Sequence, residues 1–133
     1  MKMNAPYQPY AGDVEQQARE NTDFRRVLNT TERSQLVLMS VPAGGEIGQE
    51  THEDTDQILI FVEGSGEAVF AGVERRPVNA GDVVVVPAGT QHNFIANGGQ
   101  PLKLFTMYTP PHHRPGTVHA TKADADADTA DKY

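Results

Sequence analysis

From Phe24 onward the apolar residues arrive in short runs: FRRVL, QLVLMSV, QILIFV, EAVFAG, DVVVVP, HNFIA and PLKLFTMY, each bounded by Gly, Pro, Asn or Asp. Runs of about five or six residues between turn signals such as Pro42-Ala43-Gly44-Gly45, Gly64-Ser65-Gly66 and Asn97-Gly98-Gly99 predict an all-β antiparallel sandwich or barrel. The runs at 57–62 and 83–86 are apolar at successive positions, so both faces of those strands need a cover or a partner. Ahead of the strands, Asp13 is placed to cap a short helix through VEQQARE that ends by Asn21. Residues 1–12, rich in Pro, Tyr and Gly, read as extended. From Pro110 the segment PPHHRPGTVHATKADADADTADKY is poor in apolar residues and reads as a solvated peripheral arm fraying towards Tyr133. The expected division is an N-terminal extension at 1–22, a barrel at 23–110 and a C-terminal arm at 111–133.

Composition narrows the partners. The chain has 133 residues, 18 acidic against 11 basic, and a formal net charge of −7. One domain is expected, and nucleic acid and anionic membrane surfaces are poor partners for it. Cysteine is absent, which excludes disulfides, thiolate metal sites and cysteine nucleophiles. The first residues lack the apolar core of a signal peptide and no long apolar run occurs elsewhere, so a cytoplasmic protein is expected.

The residues able to carry chemistry gather in GQETHEDTDQILIFVEGSG, residues 48–66. Glu50 and His52 are two apart, so in a strand both side chains leave the same face. An acidic turn follows, and Gln57 opens the next strand with an amide oxygen able to face the same interior. His92, after PAGTQ, brings a second imidazole from a third strand. The set Glu50, His52, Gln57 and His92 mixes nitrogen and oxygen donors and suits a divalent transition metal, Mn, Fe, Co, Ni or Zn, better than Ca or Mg. Read singly, each residue is also compatible with a hydrogen-bonded histidine or a solvated acid. A pair made of His52 and Asp54 is the alternative register.

The spacing bears on that choice. Gly44, Glu50, His52, Gln57 and Gly64 form G-x5-E-x-H-x4-Q-x6-G, and Gly81, Pro87, Gly89 and His92 form G-x5-P-x-G-x2-H. Over about residues 36 to 108 this resembles the two motifs of the cupin superfamily, G-x5-H-x-H-x3-4-E-x6-G and G-x5-P-x-G-x2-H-x3-N. The resemblance implies a jelly-roll barrel, the double-stranded β-helix. Glu50 stands where the family usually has its first His and Gln57 where it usually has its Glu. The terminal Asn comes one residue late, at Asn97. Two histidines and one carboxylate are retained, and the third ligand position, the family's Glu, becomes a neutral amide.

The resemblance is greatest to small cupins of the mannose-6-phosphate isomerase-like group. It implies a metalloenzyme with isomerase or dioxygenase-type chemistry on a small molecule, or, alternatively, a non-catalytic ligand-binding cupin without a functional metal. Few basic residues are available for a phosphosugar: Lys103 is the only one in the strands after Arg76, and Arg75-Arg76 fall in an expected hairpin. Met39, Phe61, Phe94, Phe105 and Met107 are expected to line an apolar pocket or fill the core. His112, His113 and His119 belong to the arm, with folding back over the barrel mouth as the alternative to solvent. A homodimer is also implied, through an apolar sheet face around residues 24–41.

Overall fold

The computed structural model describes residues 7–133. The first half of the stretch expected to be extended lies outside the described residues. A helix, α1 (Val14–Glu20), precedes the strands β1 (Arg25–Thr30), β2 (Gln35–Val41), β3 (Glu50–Thr51), β4 (Asp56–Glu63), β5 (Ser65–Phe70), β6 (Glu74–Asn79), β7 (Val83–Val86), β8 (Gln91–Ile95) and β9 (Leu102–Thr109). The arm adds β10 (Val118–His119) and α2 (Lys122–Ala127). These strands make a six-stranded sheet, β10-β1-β2-β9-β4-β7, and a four-stranded sheet, β3-β8-β5-β6, every pairing antiparallel. This is the jelly-roll barrel expected from the sequence.

Strand alternation decides what the barrel encloses. Along β9, Leu102, Leu104, Thr106 and Tyr108 are buried and Lys103, Phe105 and Met107 half-buried, so the first set points inward. On β4 the inward set is Gln57, Leu59 and Phe61. Leu59, Phe61 and Leu104 join Val37, Met39, Val41 and Phe94 in one apolar cluster that fills most of the barrel. Phe61 and Phe94 meet between the sheets with ring centroids 5.7 Å apart. Burying each such ring or aliphatic side chain contributes about 2 kcal/mol. At the β4–β5 corner only glycine fits: Gly64 has φ +86°, and a Cβ there would lie 2.3 Å from the Pro101 carbonyl oxygen.

α1 forms where the sequence placed it. Asp13 accepts a hydrogen bond from the Gln16 amide at 3.1 Å, and Asn21 is the C-cap. The helix lies on the outer face of the larger sheet against β2, β4 and β9, burying Ala18. Lys103 reaches across to donate to the carbonyls of Arg19 at 2.7 Å and Asn21 at 3.0 Å, satisfying the helix C-terminus. The one strand lysine considered for a phosphosugar is therefore occupied in holding α1. The cover needed over 57–62 is supplied by this helix. The β7 face has no such cover among the described residues, and Val83 and Val85 are each 59 % exposed.

Three features depart from the sequence reading. β6, ERRPVN, has no apolar alternation; it forms as the outer edge of the smaller sheet, where Pro77 is tolerated. The arm is not solvated along its length: β10 pairs with β1 through Arg25 and His119, His113 and His119 are buried, and the Tyr133 hydroxyl meets that of Tyr7. The apolar face expected around residues 24–41 is covered in part, because α1 packs on β2 and Leu38 is buried, while Leu28 and Leu36 stay half-buried. Among the described residues no helix is long and apolar enough to cross a membrane.

Candidate metal centre

β3 and β8 bring the first ligands together by register. Glu50 is the direct cross-strand partner of His92, which puts both side chains on one face of the smaller sheet. His52 leaves β3 immediately afterwards and is buried; its carbonyl accepts from the Gly89 amide at 2.8 Å. Gly89, at φ +84°, turns the chain so that this amide faces His52. The His52 Nε2 lies 3.4 Å from Glu50 Oε2, and the His52 and His92 ring centroids are 5.2 Å apart. From the facing sheet, Gln57 sits in register with Val86 on one side and Tyr108 on the other.

The arm adds a residue that the motifs do not contain. After Pro110-Pro111 the chain turns over the barrel mouth, and His112 places its ring 4.3 Å from that of His52 and stacked on Tyr108 at 5.5 Å. One donor atom each from Glu50, His52 and His112 lie within 4.8 Å of one another. That is close to the roughly 4 Å spanned by two ligands of one ion at about 2.1 Å each. The backbone beneath His112 is fixed by Gln35, a buried β2 residue. Its Oε1 accepts from the amides of His112 and His113 at 3.2 and 2.9 Å, and its Nε2 donates to the His113 carbonyl at 2.7 Å.

The protonation states suit a cation. Burial, then the neighbouring His112 and His92, pushes His52 down to about 3. His112 is also lowered, by burial first and Arg25 second, against the opposing pull of Asp131. Both imidazoles are thus neutral with lone pairs available at neutral pH, as metal ligation requires. Burial raises Glu50, opposed by Arg25, His92 and Lys122; a bound cation would offset that desolvation. His92 Nδ1 is 2.8 Å from the Thr90 carbonyl, which makes it the N–H donor and leaves Nε2 as the lone pair.

Gln57 carries an independent signal. Its Nε2 donates to Thr106 Oγ1 and Tyr108 Oη, both at 3.1 Å, while its Oε1 is buried without a partner. A buried acceptor left open in this way is uncommon and favours a missing cation or donor. The donor set therefore fits a divalent ion.

Each residue considered from sequence has a definite place. Glu50, His52, Gln57 and His92 surround one end of the barrel interior. Asp54 stays exposed in the turn, so the pair with His52 is not formed inside the barrel. Met39, Phe61 and Phe94 are fully buried core. Phe105 and Met107 are half-buried and point away from the barrel interior, on the outer face of β9. His112 was assigned to a solvated arm with folding back over the barrel mouth as the alternative, and the chain follows that alternative; Arg25, buried opposite His119, was missed. The adjacent His112-His113 pair after two prolines was the available signal for the first; nothing local marks Arg25.

The cupin domain family matches residues 37–108. YrkC of Bacillus subtilis (strain 168) is 40% identical over 122 residues, covering 88% of this chain and 66% of that protein. The chain thus spans about two thirds of the length of YrkC. Protein L612 of Acanthamoeba polyphaga mimivirus is 34% identical over 114 residues, covering 84% of this chain and 71% of that one. The crystal structure of BH2720 from Bacillus halodurans superposes with a TM-score of 0.89 at 38% identity, over 91% of this chain and 96% of that chain. With both spaced motifs, the jelly-roll barrel and a domain match over more than half its length, the chain belongs to the cupin family.

Proposed function

We propose that Glu50, His52 and His112 hold a divalent transition metal, with His92 Nε2 and Gln57 Oε1 as further donors, and that the protein is a metalloenzyme acting on a small organic molecule there. The observation that carries this reading is the convergence of one carboxylate and two neutral imidazoles on one point. When bound, such a metal supplies Lewis acidity or, for a redox-active ion, oxygen activation. The chain's own contribution is positioning. Tyr108, kept as a neutral hydroxyl by burial, and the His112 ring stacked on it form one wall of the site.

A phosphosugar substrate is disfavoured, because Lys103 caps α1 and Arg75 and Arg76 pair with Glu67 and Glu74. Isomerase or oxygenase chemistry on a non-phosphorylated molecule fits the site better. A homodimer is proposed through the uncovered β7 face bearing Val83 and Val85.

Metal content tests the reading. Elemental analysis after expression in metal-supplemented medium is expected to give one equivalent in the wild type and little in His52→Ala or His112→Ala. A metal-free wild type, or full metal in both variants, would overturn it and leave a ligand-binding cupin.

A further inference from the structure

Beside the candidate centre lies a cavity of about 400 Å³ between β1, the segment before β3, and α2. Its lining includes Arg25 and two of the proposed metal ligands, Glu50 and His112. The volume is in the usual range for a small-molecule site.

Arg25 is the anomaly there. It is 6 % exposed, yet none of the ion pairs among the described residues involves it. Its guanidinium packs over the Phe24 ring at 5.3 Å, Nη1 has only a long 3.4 Å contact to His119 Nδ1, and the buried Nε has no partner. A buried cation normally has a carboxylate against it, because desolvation is otherwise uncompensated.

The carboxylates around the cavity are already engaged. Asp131 binds His113 at 2.7 Å and the Arg114 amide at 2.9 Å; Asp128 binds His119 at 2.9 Å; Asp126 pairs with Lys122 at 2.8 Å; Glu46 accepts from Asn93 at 3.3 Å. Arg25 lines the cavity together with Glu50, His112, His113 and Asp131, and its charge acts on each of them. Glu50, the other carboxylate of the lining, lies 3.4 Å from His52 Nε2 and is a proposed metal ligand, which leaves the guanidinium as the cation of the cavity without an ion pair.

We propose that Arg25 binds the carboxylate of the substrate, which makes that substrate a small organic acid whose other end lies at Glu50 and His112. A planar guanidinium matches a carboxylate through two parallel N–H donors, and an acid entering the cavity supplies the negative charge that Arg25 lacks. A phosphate dianion fits less well: Lys122 is paired, and the aspartates of the rim repel two charges held on one group, whereas a dicarboxylate brings only one of its charges to Arg25. The proposal rests on the metal centre for the position of the substrate's far end, while the anion contact stands on Arg25 alone.

The test is titration calorimetry with malonate, succinate, the neutral isostere succinamide and inorganic phosphate, on metal-loaded and chelator-treated protein, with metal content measured on the same samples. A dicarboxylate is expected to bind and the diamide not. Arg25→Gln is expected to weaken the acid at least tenfold with wild-type metal content, and Arg25→Lys, which keeps the charge without the fork, to fall between. Arg25→Lys also carries the test if Arg25→Gln fails to fold by circular dichroism. Equal binding of acid and diamide, phosphate binding tighter than both acids, or unchanged acid affinity in Arg25→Gln overturns the proposal. Retained metal with no acid bound sinks the anion site alone; acid bound through Arg25 in a metal-free wild type upholds it and sinks the metal reading instead.

Discussion

The barrel wall and the C-terminal arm contribute to the same site but are held by different forces. On the wall, Glu50 and His92 face each other because β3 and β8 are in register, and Gln57 faces inward because β4 is. Backbone ladders place those side chains, so their chemistry can change without disturbing the fold. On the arm, position depends on side chains: Gln35 grips the backbone at 112–113, Asp131 holds His113, and Asp128 holds His119. The ligand and its support are separable on the wall and inseparable on the arm.

Acid is expected to have the largest effect, because it acts on both regions at once. Burial lowers His52 to about 3, and it lowers His113 to about 4 against the hydrogen bond that His113 Nδ1 donates to Asp131. Both folded values lie below the ordinary 6.5, so the unfolded chain takes up protons first. The stabilising contribution is complete above pH about 6.5 and is lost as pH falls towards 4 and then 3, at up to about 1.4 kcal/mol per pH unit for each group. Urea unfolding of metal-free protein between pH 7 and 4 measures the slope. His113→Gln is expected to remove the arm's share and leave that of His52; an unchanged slope in this variant would contradict the assignment.

Gln35→Leu comes next. It orphans the amides of His112 and His113 and the His113 carbonyl, at a cost on the order of 3 kcal/mol. Metal affinity is expected to fall with no ligand removed. Asp131→Ala strips the acceptor from buried His113 Nδ1 and is expected to cost about 2 kcal/mol, with faster proteolysis of the arm than of the barrel.

On the wall, Gln57→Leu should separate the two quantities. Loss of the donors to Thr106 and Tyr108 is offset by removal of the unpartnered Oε1, so metal-free stability is expected to move by less than about 1 kcal/mol. Metal affinity is expected to drop by about tenfold. Comparable losses in both would make the wall as coupled as the arm. Outside both regions, Val83→Lys with Val85→Lys is expected to change stability by no more than about 0.5 kcal/mol and to turn any dimer seen by light scattering into monomer.

Much of the barrel could be read in the order of residues. Seven apolar runs marked seven strands because alternation and turn chemistry are local, and Asp13 marked α1 because capping spans only three residues. β6 escaped because an edge strand needs no apolar pattern; its ladder to β5 suffices. The motif positions Glu50, His52, Gln57 and His92 were likewise visible, since each is set by short distances along the chain.

The folding back of the arm stood only as an alternative and Arg25 was not visible at all, for one physical reason. Their roles arise from contacts between residues 78 and 94 positions apart, Gln35 with His113 and Arg25 with His119. Composition alone made the arm look solvated, because Asp and His are solvated unless each finds the other in a buried place. Local sequence thus settled the strands, the helix cap and the wall residues of the site, through periods of two residues and turns of a few. Long-range closure of the chain decided that His112 joins them, that Asp131 loses most of its water against His113, and that Arg25 is left buried without an ion pair.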